Sequence, residues 1–499
     1  MQNLDLVLIN PCARRRVYQG LAKDLAAIEP PVWAGLMAAY VRKKGFSVHI
    51  IDAEAESLSG AEVSALIREM KPALAAIVVY GHQPSASTQI MPAASEVCTA
   101  IKNEIPGQKV IMLGGHVAAL PQRTLNDEKA DFASGGEGLV TLVELVEAIK
   151  TANPDWSKIS DLWYRDGSEL RFTKAAPLIL DLDNEMPGIA WDLLPMSRYR
   201  AHNWHCLGNL ARQPYAALYT TLGCPYKCSF CCIQAPFKSG EGALGYKAAS
   251  NSYRFWSPKR VADELEMLVR DYGVRNVKFA DEMFVLNKKH VESICDEIIS
   301  RKLDLNIWAY ARVDTVKDGM LPKLKAAGFN WLAFGIEAAN ARVRDDVQKG
   351  FDQNDIRRTL ENVWAAGIRV IGNYIFGLPE DDLNTMGETL DLAMDLNCEF
   401  GNFYSAMAYP GSQLYAQAIS QKWDLPETWS GYSQHSVDSR PLPTRHVSAA
   451  QVLRFRDDAF QKYYSNPRYI QMIERKFNAE TAAHIREMST HKLERKYAN

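Results

Sequence analysis

Cys224, Cys228 and Cys231 stand in the spacing Cys-x-x-x-Cys-x-x-Cys, within Gly223-Cys224-Pro225-Tyr226-Lys227-Cys228-Ser229-Phe230-Cys231-Cys232. Thiolates are soft ligands that suit iron–sulfur clusters or zinc. An ordinary 4Fe–4S cluster takes four cysteines. Three leave one iron open to a small ligand. A zinc site needs a fourth ligand, and His205 or Cys206 upstream is of the right type. Cys232 sits beside a candidate ligand at the wrong spacing and reads as a small buried hydrophobe.

These cysteines need a scaffold, and the chain around them has a repeating one. An apolar run over 215–219 reads as a strand leading into the loop. After the loop, strands are expected over 276–280, 306–310, 331–335, 368–375 and 402–406. Helices are expected over 258–271, 289–301, 320–327, 353–366 and 384–396. Six such βα units predict an open partial barrel, whose chemistry belongs at the carboxyl ends of the strands. Those ends carry Asp281-Glu282, Arg312 with Asp314, Gly335-Ile336-Glu337, the stretch from Gly372 through Ile375 and Gly377 to Glu380, and Tyr409-Pro410-Gly411-Ser412.

The first third has a different sheet. Strands over 4–9, 48–51, 74–80 and 110–113 alternate with helices over 32–41, 61–70, 87–101 and 139–149. That alternation predicts a doubly wound, Rossmann-like parallel sheet with ligands beyond its carboxyl edge. The edge carries Asn10-Pro11, Tyr80-Gly81-His82, Gly114-Gly115-His116 and Gly135-Gly136-Glu137-Gly138. Glycines there let backbone approach a large flat ligand, or simply make turns. Residues 151–212 read as a linker containing a hairpin that turns at Asp166-Gly167. The charged tail, 421–499, reads as helices that either cover the barrel mouth or dock as a solvated pair.

Composition excludes other classes. A net charge of −2 over 499 residues implies no general nucleic-acid partner. No apolar run approaches the roughly 18 residues of a membrane span. The amino terminus has an apolar strand before Arg14-Arg15-Arg16, the wrong order for a signal peptide. The nine cysteines are unevenly scattered, which points to a reducing cytoplasm rather than a disulfide framework.

The cysteine spacing, with Phe230 just before the last ligand, resembles the signature of the radical S-adenosylmethionine (SAM) superfamily. The barrel's strand ends resemble, in order, the acidic strand-two end and the Gly-Ile-Glu, Gly-x-Ile-x-Gly-x-x-Glu and Pro-Gly-Thr elements of those cores. The resemblance implies a 4Fe–4S cluster on Cys224, Cys228 and Cys231, with SAM chelating the open iron. SAM would lie near Phe230, Asp281, Glu282, Arg312, Glu337, Ile375 and Gly377, and its reductive cleavage would give a 5′-deoxyadenosyl radical.

The first third, with Glu29-Pro30-Pro31, Gly114-Gly115-His116 followed by Pro121, and Gly136-Glu137-Gly138, resembles the cobalamin-binding domain that precedes many such cores. Cobalamin contacts are then expected from Asn10, Pro11, Tyr80, Gly81, Gly114, Gly115, His116, Gly136 and Glu137. The resemblance thus implies an α/β chain: a cobalamin-binding domain over 1–150, a linker over 151–212, a radical SAM (β/α)6 core over 213–420 and a helical segment over 421–499. The cobalamin fingerprint Asp-x-His-x-x-Gly is absent. The loop after the first strand has no histidine, while His82 and His116 leave from later loops. Cobalt is therefore expected to carry no protein nitrogen. The implied activity is methylation of an unactivated carbon of a small molecule, with an external flavodoxin- or ferredoxin-like electron donor. A radical SAM oxidative cyclase of the same domain order and a zinc-binding scaffold or sensor are the alternatives. The sequence names neither a substrate nor an acid–base residue.

Overall fold

The computed structural model describes residues 4–22, 25–83, 85–350 and 353–498. The amino-terminal sheet comprises β1 (Leu6–Asn10), β2 (Val48–Asp52), β3 (Leu74–Val78), β4 (Lys109–Leu113) and β5 (Phe132–Ser134), all parallel. Their order is β2-β1-β3-β4-β5. β1 and β3 are buried throughout, because helices cover both faces of the sheet. The strand order reverses between β1 and β3, so the crevice of this sheet lies beyond Asn10 and Val78. β5 is only three residues long, too short for any periodicity to announce.

The hairpin expected in the linker does form, as β6 (Leu162–Asp166) and β7 (Glu169–Phe172). It is not a connector. β6 pairs antiparallel with β5, and the sheet therefore runs on to seven strands. Trp163 stacks on Phe172 at 4.9 Å between ring centroids, which favours this edge pairing. The remainder of the linker straps the two halves together. The Tyr199 hydroxyl donates to Asp52 Oδ2 at 2.7 Å, and Trp191 Nε1 donates to Glu264 Oε1 at 2.7 Å.

The barrel begins at β8 (Tyr215–Leu218). A small antiparallel pair, β9 (Thr221–Leu222) and β10 (Arg254–Phe255), frames the cysteine loop. β11 (Asn276–Phe279), β12 (Asn306–Ala311), β13 (Phe329–Glu337), β14 (Arg369–Phe376) and β15 (Phe400–Ser405) follow. The six parallel strands run β15-β14-β13-β12-β11-β8 and do not close. Each expected barrel strand appears, shifted at its ends by two residues or fewer. No helix among the described residues is long and apolar enough to cross a membrane.

The tail is docked rather than solvated. Helix Ala449–Tyr464 lies on β15, the strand at the open edge. The hydroxyls of Tyr463, Tyr464 and Tyr469 donate to the carbonyls of Cys398, Gly401 and Glu399 at 2.6, 2.8 and 3.0 Å. Its other end reaches the amino-terminal domain, where the Trp429 ring meets the His116 ring edge-on at 4.4 Å. One face of the amino-terminal sheet shares a continuous apolar core with the barrel and the tail. The opposite face has a separate core of its own.

Candidate functional site

Gly223 starts the cysteine loop with φ +85°, and a Cβ there would lie 2.5 Å from the Ser252 carbonyl oxygen. Only glycine makes this turn without strain. Backbone and side chains then pin the loop. Cys231 N–H donates to the Cys228 carbonyl at 3.0 Å. Asn251 Nδ2 donates to the carbonyls of Cys224 and Tyr226 at 3.0 and 2.8 Å, and Cys224 N–H donates to Gln234 Oε1 at 3.2 Å. Ser229 N–H reaches Val347 and the Ser229 carbonyl accepts from Leu414, so the barrel's far side also holds the loop. No spacing rule could single out Gln234, Asn251 or Ser252, because their partners lie ten or more positions away.

The three thiols are free and in one loop. Burial pushes the Cys224 thiol up to about 12 and raises the Cys231 thiol as well, with the neighbouring cysteines adding to both shifts. Ligation reverses that preference, so loading a metal here releases protons. The zinc alternative fails on position. His205 Nε2 lies 3.1 Å from the Asn306 carbonyl, and Cys206 Sγ lies 3.5 Å from Asn276 Oδ1. Both therefore sit at the amino ends of the barrel strands, opposite the cysteine loop. Among the described residues, no three His, Cys, Asp or Glu side chains gather around a single-ion site. Three soft thiol donors without a fourth protein ligand fit a cluster with one open iron.

The barrel candidates divide. Phe230 and Ile375 pack on the same small apolar cluster, with Ala338, Val343 and Leu378. Glu337 ends β13 at φ +61°, beside an irregularity in the register with β14, and pairs with the buried Lys349. Such a bulge re-aims a side chain at the end of a strand. Arg312 grips Asp314 through two bonds of 2.9 and 3.1 Å. Its guanidinium also lies over the Tyr226 ring at 4.0 Å, and Nη1 stands 3.8 Å from Cys228 Sγ.

Two expected contacts are committed elsewhere. Asp281 is fully buried and accepts from Thr220 N–H and from the Thr220 and Thr221 hydroxyls at 3.0, 2.7 and 2.5 Å. Its carboxylate fixes the chain between β8 and β9 instead of facing a ligand. Gly377 N–H donates to Asp381 Oδ2 at 3.0 Å, and a Cβ there would lie 2.4 Å from Val452. That glycine admits the tail helix. Glu282 differs: burial pushes its carboxyl up to about 8, and Oε2 is buried without a partner.

The amino-terminal candidates divide as well. Asn10, Pro11, Tyr80 and Gly81 line a groove of about 90 Å³ at the β1/β3 crevice. The same groove holds Arg14, whose Nη1 is buried without a partner and which sequence reasoning missed. Gly115 and His116 face Cys232 and Glu282 across a small hollow between the two domains. Gly114, Gly136 and Glu137 do not reach either space. Gly114 has φ +143°, and its Cβ would lie 2.2 Å from the Val79 carbonyl oxygen, so it serves strand packing. Gly136 abuts Asp161 and Ser239. Glu137 is spent on an ion pair with Arg254. A larger cavity of about 480 Å³ adjoins the groove, with Tyr310, Asn373 and Tyr404 of the barrel on one wall and Glu29, His82 and Arg456 on others.

His116 is packed rather than presented. Nδ1 lies 3.1 Å from the Thr88 hydroxyl, and Trp429 covers the ring. Burial, helped by Arg123, drives its pKa from 6.5 down to about 3. The folded state refuses a proton that the unfolded chain binds, so this contribution to stability is present above pH 6.5 and is lost as pH falls toward 3. His116→Gln is expected to take up about one proton fewer on unfolding at pH near 5. Denaturant titrations across pH 3–7 measure this, and an unchanged pH slope would contradict it.

Two family models match the chain. The radical SAM superfamily covers residues 218–393, and the B12-binding domain covers residues 18–146. An uncharacterized methyltransferase of Pyrococcus horikoshii is 28% identical over 88% of this chain and 89% of its own length. The anaerobic magnesium-protoporphyrin IX monomethyl ester cyclase of Cereibacter sphaeroides is 26% identical over 81% of this chain and 63% of that protein. Among solved structures, the radical SAM methyltransferase TsrM from Kitasatospora setae, with cobalamin and a [4Fe-4S] cluster bound, superposes with a TM-score of 0.68. The match spans 98% of this chain and 100% of that one at 16% identity, so it attests the fold. With a three-cysteine loop on the first strand of an open barrel, and a B12-binding sheet docked against it, the chain belongs to the radical SAM enzymes that carry a cobalamin-binding domain.

Proposed function

We propose that this protein transfers a methyl group to an unactivated carbon of a small molecule. One observation carries the reading: the carboxyl edge of the B12-binding sheet and the cysteine loop open on one shared space. Trp33, Tyr80, Gly115 and His116 bound it on one side, and Cys232, Ile233 and Glu282 bound it on the other. Two cofactors held on these elements would face each other across this interface.

Cys224, Cys228 and Cys231 would hold the cluster, and the groove lined by Asn10, Pro11, Tyr80 and Gly81 would hold the cobalamin. When bound, the cluster supplies the electron that splits SAM, and cobalamin carries the methyl group. The chain's own part is positioning. Glu337 would accept from the SAM ammonium beside Lys349, with Phe230 and Ile375 supplying an apolar wall. Arg312, held by Asp314, would stand beside the Cys228 sulfur once it holds the cluster. Arg14 Nη1 would donate to an amide carbonyl or the phosphate of the cobalamin. The 480 Å³ cavity, walled by Tyr310, Asn373 and Tyr404, would admit the substrate. The electron would come from an external flavodoxin- or ferredoxin-like protein.

Protein reconstituted anaerobically with iron and sulfide, and supplied with hydroxocobalamin and a chemical reductant, should cleave SAM to 5′-deoxyadenosine and retain corrin absorbance through gel filtration. Methyl-labelled SAM should pass its label into a product. A cyclised product formed without label would replace this reading with the cyclase reading that the Cereibacter sphaeroides relative represents.

A further inference from the structure

Lys278 is the least expected residue of β11. Its side chain is 1% exposed, on a strand where its register neighbours are Ala217 and Trp308. A buried ammonium is costly unless paired and hydrogen-bonded. Lys278 Nζ donates to Glu29 Oε2 at 2.8 Å and to the His82 carbonyl at 2.8 Å, with the Trp308 ring 5.1 Å away. The Glu29 side chain is itself 8% exposed. Burial alone would raise its carboxyl, but the Lys278 ammonium and the His202 ring outweigh burial and hold it well below the usual range.

The two acceptors come from two different loops of the B12-binding domain. Glu29 directly precedes Pro30-Pro31 and helix Val32–Lys43; His82 directly follows Tyr80-Gly81. Both line the junction where the strand-end groove meets the large cavity. The second oxygen, Glu29 Oε1, is buried and faces His202 Nε2 at 3.4 Å, which leaves it a further lone pair to accept with. One barrel side chain thus ties both loops to the barrel and leaves an ionised acceptor at the junction.

We propose that Lys278 is a positioning residue for the corrin: it clamps loops 27–31 and 80–83 against the barrel wall and presents Glu29 Oε1 to an N–H of the corrin's peripheral amides. The proposal rests on the cobalamin reading above. It separates two roles that a single substitution would confuse. Lys278→Met strands the Glu29 charge in the interior and lowers both stability and affinity. Lys278→Met with Glu29→Gln leaves no charge buried there, so stability returns while the clamp and the acceptor remain lost.

The test uses the whole reconstituted protein, with hydroxocobalamin as probe in equilibrium dialysis and denaturant unfolding run in parallel. The double variant is expected to recover the wild-type unfolding midpoint and iron content, and to bind cobalamin about tenfold or more weakly, the scale of losing an outer-shell partner. Glu29→Gln alone strands the Lys278 ammonium, so it is expected to lower the unfolding midpoint as well as to weaken cobalamin severalfold, without loss of iron. Wild-type affinity in the double variant would overturn the clamp, and wild-type affinity in Glu29→Gln would overturn the acceptor. Wild-type protein with no affinity for cobalamin would sink the cobalamin reading itself, and the proposal with it.

Discussion

Alanine at any one of Cys224, Cys228 or Cys231 is expected to abolish SAM cleavage. Each thiol is one of three, and among the described residues no group of His, Cys, Asp or Glu side chains offers another metal site. Losing even an outer-shell partner of a metal ligand costs about 10–100-fold, and losing a ligand from a three-ligand site exceeds that. Iron content and 5′-deoxyadenosine formation should fall together in all three variants. Cys398→Ala is the control. Cys398 is buried against the Tyr374 hydroxyl at 3.8 Å, far from the loop in role, and its removal should leave cleavage intact. Cys232→Ala should also retain cleavage, since Cys232 faces the interdomain hollow rather than the three thiols' spacing. Near-normal 5′-deoxyadenosine from Cys228→Ala would sink the cluster assignment.

Arg254→Met is expected to cost about 3–5 kcal/mol of unfolding free energy, the range for breaking a buried ion pair by removing one partner. Arg254, on β10, and Glu137, beyond β5, are 4% and 8% exposed and join the barrel to the B12-binding domain. Arg254 also donates to the Ile179 carbonyl at 2.8 Å and lies over the Phe237 ring, so no water can reach the abandoned carboxylate easily. Adding Glu137→Gln should restore a large part of the loss, because the uncompensated charge then disappears. Denaturant unfolding of the three proteins measures it. A loss below about 1 kcal/mol would place the pair with exposed salt bridges and contradict its burial.

Glu137 also illustrates where residue-level reading went astray. A Gly-Glu-Gly at a sheet's carboxyl edge has the right types for ligand contact, and nothing local distinguishes a ligand contact from an interdomain ion pair. The decision lies with Arg254, more than a hundred positions away. Asp281 is a similar case. An acidic residue at a barrel strand end reads as a SAM contact, yet the Thr220 and Thr221 donors that occupy it come from the preceding strand's end. The hairpin at Asp166-Gly167 was legible as a hairpin from its turn. Its partner, β5, was not, since three residues carry no period.

The sequence by itself determined the three-thiol loop, the six barrel strands and the alternation of the first sheet. These are features of short-range spacing: ligands within one loop, and apolar periods within one strand or helix. The tertiary structure alone decided which strand-end residues face an open space and which are consumed by packing. It alone brought Lys278 to Glu29 and His82, Glu137 to Arg254, and Trp429 to His116. Those pairings join residues separated by a hundred positions or more, where no periodicity reaches, and they exist because burying a charge or a ring between two docked surfaces requires a partner from the other side.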